Sequence, residues 1–428
     1  MGSFENSYGD GSPLEDDFLA DLQRCEEELA SDPENCSHWL TKGTILYKLK
    51  RFSESIAAYD QALALAPNDA DVWSNKGNAH HSLQQYGEAV NACEHALEID
   101  SQDTRSLNIM ALSLLKLERS DEALAACDQL IDLYSNNTSA WKTKGDALLE
   151  LERYDEAVDA YNRALDIDPE MTSALFSKGF VLGKLQRYEE EIVTLDAYIG
   201  LKNADYDHSN AWYNKGCALA EIHKYSEAIE AYDHALLIFP DFADAWYNKG
   251  NALYHLHQYK EAIESFTRKL ALDPEHVSAW YNKGVALAHL ERNDEAIEAY
   301  DHALALDQNK SYAWFCKGNA LYGLQRYEGA LSAYDQAVSL DPDKEKFWNG
   351  AGKSLIMLCR YGEAVEAFDR ALAIDPDCAY LWHNKGDALL GMHQYEEAMA
   401  CCDTALELEP ENSRALQLKI EIAEKISE

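Results

Sequence analysis

Histidine, cysteine and acidic side chains could carry catalysis or hold a metal ion, and this chain has many of them. Its 428 residues include 14 histidines, 10 cysteines and 76 aspartates and glutamates. Histidines that are close in sequence, such as His255 and His257, would not share a helix face, because only residues three or four apart do so. No two cysteines have the CxxC spacing of a zinc or redox site. These residues therefore predict no metal site and no cofactor.

Motifs that carry catalytic chemistry are missing as well. The sequence contains no GxxxxGK[ST] phosphate loop, no HExxH zinc motif and no GxSxG nucleophile motif. Many of the acidic residues recur at equivalent places along the chain, as Glu227, Glu261 and Glu295 do. Carboxylates in such a row ordinarily form the solvated face of a helix. We therefore expect no catalytic residue and no enzymatic activity.

The elements that carry these side chains follow a period of 34 residues. All nine tryptophans are in phase with this period, and leucine takes the same place in the two repeats that lack tryptophan. The period defines eleven repeats across 36–412, with three extra residues within 200–208 in the fifth repeat. The in-phase residues are Trp39, Trp73, Leu107, Trp141, Leu175, Trp212, Trp246, Trp280, Trp314, Trp348 and Trp382.

Each repeat has the pattern of two amphipathic helices. In the seventh repeat, apolar residues recur at helical spacing from Trp246 and again around Phe266. Gly250 and Ala262 are small, which favours a close approach of two antiparallel helices, and Pro274 ends the second helix. The sequence therefore predicts one helical hairpin per repeat.

Numbered so that the tryptophan is the fourth residue, the repeat has Gly at position 8, Ala at 20, Tyr or Phe at 24 and Pro at 32. This pattern resembles the tetratricopeptide repeat, and the resemblance covers nearly ninety per cent of the chain. It implies an all-α fold, a right-handed superhelical solenoid of antiparallel helix pairs. One departure is lysine at position 7 in nine repeats, including Lys249. We expect the stems of these lysines to pack while their ammonium groups reach solvent.

The ends of the chain have the composition of caps. Residues 1–13 are rich in Gly and Ser and are expected to be disordered. An apolar stripe at Phe18, Leu22, Cys25 and Leu29 predicts an N-terminal capping half-repeat over 14–35. A second stripe predicts a C-terminal capping helix over 413–428. Its residues are Leu416, Ile420 and Ala423.

The fifth repeat departs from the pattern. Glu191 replaces the small residue at position 20, Asn203 replaces the proline, and the three-residue insertion follows within 200–208. Because a bulky acidic side chain at a close helix contact loosens packing, we expect a hinge or a change of pitch between Phe176 and Trp212.

The resemblance to the family implies that first helices line a concave groove that takes an extended or helical peptide. Position 5 would place aromatic rings along it, at Phe176, Tyr213, Tyr247, Tyr281 and Phe315. Positions 6 and 9 would add amides, at Asn214, Asn248, Asn282, Asn251 and Asn319. An amide both donates and accepts hydrogen bonds, so such a row suits a peptide backbone. The alternative is that these residues are repeated only because the repeat was duplicated.

The net charge of the chain argues against some classes of partner. The formal net charge is -39 and the sequence pI is about 4.6, so phosphate backbones and anionic membranes would be repelled. The chain has no apolar run near the roughly 18 residues of a membrane span and no N-terminal signal pattern, which predicts a cytoplasmic protein. We expect a protein–protein interaction scaffold or adaptor with a protein or peptide partner, and the acidic convex face would suit a basic partner. The alternative is a self-associating structural scaffold that uses its acidic convex face or terminal repeats.

Overall fold

The computed structural model describes residues 13–201 and 206–427. In these two ranges it contains twenty-four α-helices and no strand, which confirms the predicted all-α fold. The chain divides into two compact units, Met1–Asn203 and Ala204–Glu428, and each is described by itself. Of the segment 1–13 that was predicted to be disordered, residues 1–12 lie outside the described residues. The first helix begins at Pro13.

The helices of the first unit are α1 (Pro13–Ser31), α2 (Cys36–Lys48), α3 (Phe52–Leu65), α4 (Ala70–Ser82), α5 (Tyr86–Ile99), α6 (Thr104–Lys116), α7 (Ser120–Leu133), α8 (Thr138–Glu150), α9 (Tyr154–Ile167), α10 (Thr172–Lys184) and α11 (Tyr188–Ile199). Those of the second unit are α12 (Tyr206–Glu221), α13 (Tyr225–Ile238), α14 (Ala243–His255), α15 (Tyr259–Leu272), α16 (Val277–His289), α17 (Asn293–Leu306), α18 (Ser311–Gly323), α19 (Tyr327–Leu340), α20 (Glu345–Met357), α21 (Tyr361–Ile374), α22 (Ala379–Gly391), α23 (Tyr395–Leu408) and α24 (Ser413–Ser427).

Each repeat is a pair of packed helices, from α2 with α3 to α22 with α23. In the seven repeats with Tyr or Phe at position 24, the glycine at position 8 lies under that aromatic ring. A Cβ atom added to Gly250 would lie 2.6 Å from Cε1 of Phe266, and one added to Gly284 would lie 2.6 Å from Cε1 of Tyr300. Glycine is therefore required here because any side chain would overlap the ring.

The tryptophan at position 4 links its repeat to the preceding one through a hydrogen bond. The Nε1 of Trp246 donates to the carbonyl oxygen of Pro240 at 2.9 Å. The ammonium of Lys249 lies 5.3 Å from the centroid of that indole and 2.5 Å from Asp233 in the preceding repeat. The prediction that this lysine reaches solvent was incomplete, since its ammonium bridges two repeats.

The two helices of every repeat are joined by a turn with one left-handed residue at position 15. The φ angle of this residue is between 57° and 62°, and in all eleven repeats it is not glycine. The residues are Lys50, Gln84, Glu118, Glu152, Gln186, His223, His257, Glu291, Gln325, Cys359 and His393. The turn thus holds long side chains such as His257 outside both helices.

Cysteines that take the place of the position-24 aromatic residue in three repeats are buried. Cys93, Cys127 and Cys402 are fully buried, and Cys25 packs with Leu22 of α1 against the first repeat. Burial raises the pKa of the Cys93 thiol to about 12. These side chains therefore act as small apolar residues in the core.

The C-terminal helix buries a different face from the one predicted. α24 packs on α22 and α23 through Ala415, Leu418 and Ile422. Leu416 and Ile420, which were predicted to form the packing stripe, are 44% and 62% exposed. The reason is that α24 occupies the place of a first helix, and Leu416 and Ile420 stand at its positions 4 and 8.

Glu191 fits its close helix contact because Gly183 opposes it. Its residue exposure is only 6%, and a Cβ atom on Gly183 would lie 2.9 Å from Glu191 Oε2. Burial raises the pKa of this carboxyl to about 7. The boundary between the two units falls within 200–208, the stretch that carries the insertion. The hinge itself stays a prediction.

Candidate functional site

The candidate surface is formed by the first helices of repeats six to nine, all in the second unit. α12, α14, α16 and α18 each contact the next first helix in the row. Residues at positions 5, 6, 9, 12 and 13 of neighbouring repeats therefore meet on one face. Phe176 belongs to α10 in the first unit, where its ring lies 5.5 Å from that of Tyr198. The other nine predicted residues all lie in the second unit.

Predicted tyrosines and asparagines bond to each other from one repeat to the next. Asn248 Nδ2 donates to Tyr213 Oη at 3.0 Å. One repeat further on, Asn282 Nδ2 donates to Tyr247 Oη at 3.2 Å and to Asn251 Oδ1 at 2.9 Å. These amide donors are thus largely used within the protein. Their carbonyl oxygens remain as acceptors for a ligand.

The position-5 rings are half-buried because they pack on the second helices. The ring of Tyr247 lies 6.0 Å from that of Phe266, and the ring of Tyr281 lies 6.1 Å from that of Tyr300. The pKa of the Tyr281 phenol is raised above its ordinary value, mainly because the ring is buried. The phenol of Tyr281 is therefore neutral, and the inner edges of both rings are held in place by the core.

Two neighbouring cavities open between the first helices. The first, of about 380 Å³, lies between α14 and α16. Its lining is Asn251, Tyr254, His255, Tyr281, Asn282 and Val285. The second, of about 370 Å³, lies between α12 and α14 and includes Glu221, Tyr225 and Asn248 in its lining. Asn251 and His255 belong to both linings, so they separate the two cavities.

A row of tyrosine and histidine rings that sequence reasoning missed borders these cavities. Tyr225 stacks on His255 with ring centroids 4.7 Å apart, and Tyr259 stacks on His289 at 4.6 Å. Tyr254 Oη lies 2.9 Å from Nε2 of His289, which ties two repeats together. The signal in the sequence was the common spacing, since each stacked pair is 30 residues apart.

The remaining predicted residues lie at the two sides of this surface. Asn214 is half-buried on α12. Asn319 is exposed on α18, and its Oδ1 accepts a hydrogen bond from Tyr334 Oη at 2.7 Å. The ring of Phe315 lies 5.0 Å from the ring of Phe347. These residues extend the surface but do not line either cavity.

The two cavity linings contain one carboxylate, that of Glu221, and otherwise uncharged or imidazole-bearing residues, although the chain is strongly acidic. Asp244 on α14 is paired with Lys269 at 3.0 Å, and Lys269 also contacts Asp273 at 3.1 Å. Aromatic, amide and imidazole groups make up most of the lining. Such a face suits uncharged peptide groups, which lose less by leaving water than ions do.

Two further findings bear on the chemistry of the described ranges. Within 13–201 and 206–427, no three His, Cys, Asp or Glu side chains converge in a way that could hold a metal ion. In the same ranges, no helix is both long enough and apolar enough to cross a bilayer.

The structure is an array of helical hairpins that pack at glycines, and the first helices form one face of the array. This architecture defines the class of helical repeat proteins that bind other proteins. A tetratricopeptide repeat family model matches residues 110–172, 213–269, 256–311 and 317–377, and related models match 43–84, 70–103 and 355–422. The chain belongs to the tetratricopeptide repeat family, whose members are generally non-catalytic scaffolds for protein–protein interaction.

Individual relatives are distant. No curated protein matches this chain. Similar solved structures include YrrB, described as a TPR protein with an unusual peptide-binding site, at 22% identity over 44% of this chain and 95% of that chain, with a TM-score of 0.40. MamA from Desulfovibrio magneticus RS-1 has 22% identity over 40% and 97%, with a TM-score of 0.39. The APC/C hetero-tetramer Cut9-Hcn1 has 13% identity over 96% and 94%, with a TM-score of 0.42.

Proposed function

We propose that this protein holds an extended or helical segment of a partner protein against the first helices of repeats six to nine. The observation that carries the proposal is the pair of adjoining cavities, which share Asn251 and His255. Side chains that line them are fixed beforehand by bonds such as that from Asn282 to Tyr247. A fixed lining lowers the entropy cost of binding, which favours a recognition surface over a merely repeated sequence.

The hydrogen bonds within this surface support a choice of the groups that would contact the partner. The amide hydrogens of Asn282 are used within the protein, so the carbonyl oxygens and the ring edges are the groups offered to a peptide. Each cavity has room for a large side chain of the partner. The partner segment would therefore be held by two side chains in the cavities and by its backbone between them.

A blocking substitution tests this proposal without breaking the internal bonds. Val285 lines the first cavity on α16, so the larger side chain of Val285→Trp should obstruct it. Ala305→Trp is the matched control, because Ala305 is exposed on the second helix α17. Affinity capture from native lysate with mass spectrometry would compare both variants with the wild type. Partners kept by the wild type and the control but lost by Val285→Trp support the proposal, and identical partner sets for all three contradict it.

Self-association is the second candidate, and the open face of α24 favours it. Leu416 and Ile420 expose apolar side chains on this face, where a second helix packs in every complete repeat. Sedimentation velocity at increasing concentration would test it with Leu416→Ser/Ile420→Lys. A concentration-dependent dimer that this variant abolishes would support self-association, whereas a monomer at all concentrations would exclude it.

A further inference from the structure

One carboxylate on the inner side of repeats six to nine stands without a cationic partner. Positions 2, 5, 6, 9, 12 and 13 of these first helices contain no lysine or arginine, and their carboxylates are those of Glu221 and Asp244. Asp244 is paired with Lys269 at 3.0 Å. Among the described residues, no lysine, arginine or histidine nitrogen lies within 4.0 Å of the Glu221 carboxylate. Glu221 is therefore the unpaired charge that the described part of this face presents.

This carboxylate belongs to the second cavity, of about 370 Å³, between α12 and α14. Glu221 is the last residue of α12 and is exposed, whereas Tyr232 in the same lining is buried. Burial is the main cause of the raised pKa of the Tyr232 phenol, and the charge of Glu221 adds to it. The carboxylate therefore acts on the cavity from its solvent side to its buried wall.

Hydrogen-bond donors in the lining are largely used within the protein. Asn248 Nδ2 donates to Tyr213 Oη at 3.0 Å and to Cys217 Sγ at 3.5 Å. Tyr232 Oη donates to the same Cys217 Sγ at 3.7 Å. Because an amide nitrogen has two hydrogens and a phenol has one, Asn248 and Tyr232 have no donor left. The amide oxygen of Asn248 can still accept hydrogen bonds from a ligand.

The other polar groups of the lining also have partners in the protein. His223 Nδ1 lies 2.9 Å from Tyr225 Oη, and the ring of Tyr225 stacks on that of His255. Asn251, which lies between the two cavities, accepts from Asn282 at 2.9 Å and keeps its own amide hydrogens. The second cavity thus offers a ligand mainly acceptors, and one of these acceptors is negatively charged.

We infer that the second cavity takes a basic side chain of the partner segment, an arginine or a lysine, which donates to the Glu221 carboxylate and the Asn248 amide oxygen. Guanidinium and ammonium groups donate several hydrogen bonds and accept none, which matches a lining that mainly accepts. Because Glu221 is exposed, the cation can pair with it and keep part of its hydration. This inference rests on the proposed function and adds the chemistry of the partner: a basic residue beside the uncharged side chain in the first cavity.

A displayed library of random twelve-residue peptides tests the inference at pH 8, where imidazole is ordinarily uncharged. The full chain would be used as wild type, as Glu221→Gln, as Val285→Trp and as the control Glu230→Gln. Glu230 is exposed on α13, so the control removes one charge from the second helix of the same repeat. Circular dichroism would confirm equal helicity. One enriched peptide would be labelled for fluorescence anisotropy, as selected and with its basic residue changed to Gln.

The expected result is that the wild type and the control enrich peptides with an arginine or lysine at one fixed position. Binding should weaken about fivefold in Glu221→Gln, and equally when that peptide residue is changed to Gln. The two changes together should cost little more than either alone.

Two results would overturn the inference and leave the proposed function standing. One is enrichment that depends on Val285 but not on a basic residue. The other is equal weakening in Glu221→Gln and Glu230→Gln, which would mean a general attraction to the acidic surface. If no enriched sequence depends on Val285, both the proposed function and the inference are wrong.

Discussion

Asn248 donates a hydrogen bond to the phenol oxygen of Tyr213, 35 residues earlier in the chain, at 3.0 Å. The same relationship joins Asn282 to Tyr247 one repeat later. Residues that seem to be two independent rows in the sequence are therefore one hydrogen-bonded network across repeats. The network both strengthens the contact between repeats and fixes the side chains that a partner would meet.

The phenol hydroxyl of Tyr247 should contribute to stability, because it accepts the hydrogen bond from Asn282. Tyr247→Phe should lower the free energy of unfolding by about 1 kcal/mol, the usual net value of a hydrogen bond. Tyr281→Phe is the matched control, since its hydroxyl lies 3.8 Å from Cys316 Sγ and makes only a weak bond. Urea denaturation of both variants would compare them, and an equal loss in the two would show that the amide bond adds nothing.

Where an aromatic ring occupies position 24, glycine at position 8 should be essential for the packing of the hairpin. In Gly250→Ala the new Cβ atom would lie 2.6 Å from Phe266 Cε1, which the buried ring cannot avoid. We expect a loss of about 2 kcal/mol or more from overpacking. Gly362→Ala is the control, because a Cβ atom there meets nothing within 4 Å. It should leave stability unchanged or raise it by up to about 1 kcal/mol. Thermal unfolding would measure both, and a neutral Gly250→Ala would refute the packing argument.

Glu191 should make the fifth repeat less stable as pH rises. Its pKa is about 7 in the folded protein against the ordinary 4.5 of an exposed glutamate, so the folded state binds the proton more tightly than the unfolded state. Stability is therefore lost as pH rises from about 4.5 to 7. Between pH 5.5 and pH 8 the loss through this group is about 2 kcal/mol.

Removing the charge at this position should flatten that dependence. Glu191→Gln should raise protection of repeat five at pH 8 relative to the wild type and change it much less at pH 5.5, measured by hydrogen exchange with mass spectrometry. Glu190→Gln is the control. Its effect on the pH dependence of stability should have the opposite sign, because the side-chain hydrogen bond from Arg187 lowers the pKa of Glu190. A wild-type protection pattern that is independent of pH in this window would contradict the prediction.

The period, the helical hairpins and the contact at Gly250 followed from the sequence, because they depend on patterns that every repeat contains. The bond from Asn282 to Tyr247 did not, because each residue was assigned to the groove separately and the partner lies in the next repeat. The stacking of Tyr259 on His289 was missed for the same reason. An apolar stripe in the sequence also does not reveal which of two helix faces packs against the core. Ile420 belongs to the predicted stripe but is exposed in the structure. Side-chain partners between repeats depend on helix orientation, which the period alone does not set.

Completing a missing ion pair between repeats should stabilise the second unit. Lys249 pairs with Asp233 sixteen residues earlier, but Lys283 faces Thr267 at the equivalent place. Desolvation lowers the pKa of Lys283, as expected for a half-buried ammonium without a close carboxylate. Thr267 is exposed on α15, so Thr267→Asp can be accommodated there without disturbing the core.

The new aspartate should raise the pKa of Lys283 and increase the free energy of unfolding by about 0.5 kcal/mol, the usual size of a partly exposed pair. Because the gain would be electrostatic, it should shrink in 1 M salt. Thr267→Asn is the isosteric control without charge, and Thr267→Asp combined with Lys283→Met would close a double-mutant cycle. Urea denaturation at both salt concentrations would measure the coupling. A coupling energy of zero, or equal stabilisation by Asn, would mean that the lysine at position 7 acts through its contact with the tryptophan ring and not through the aspartate.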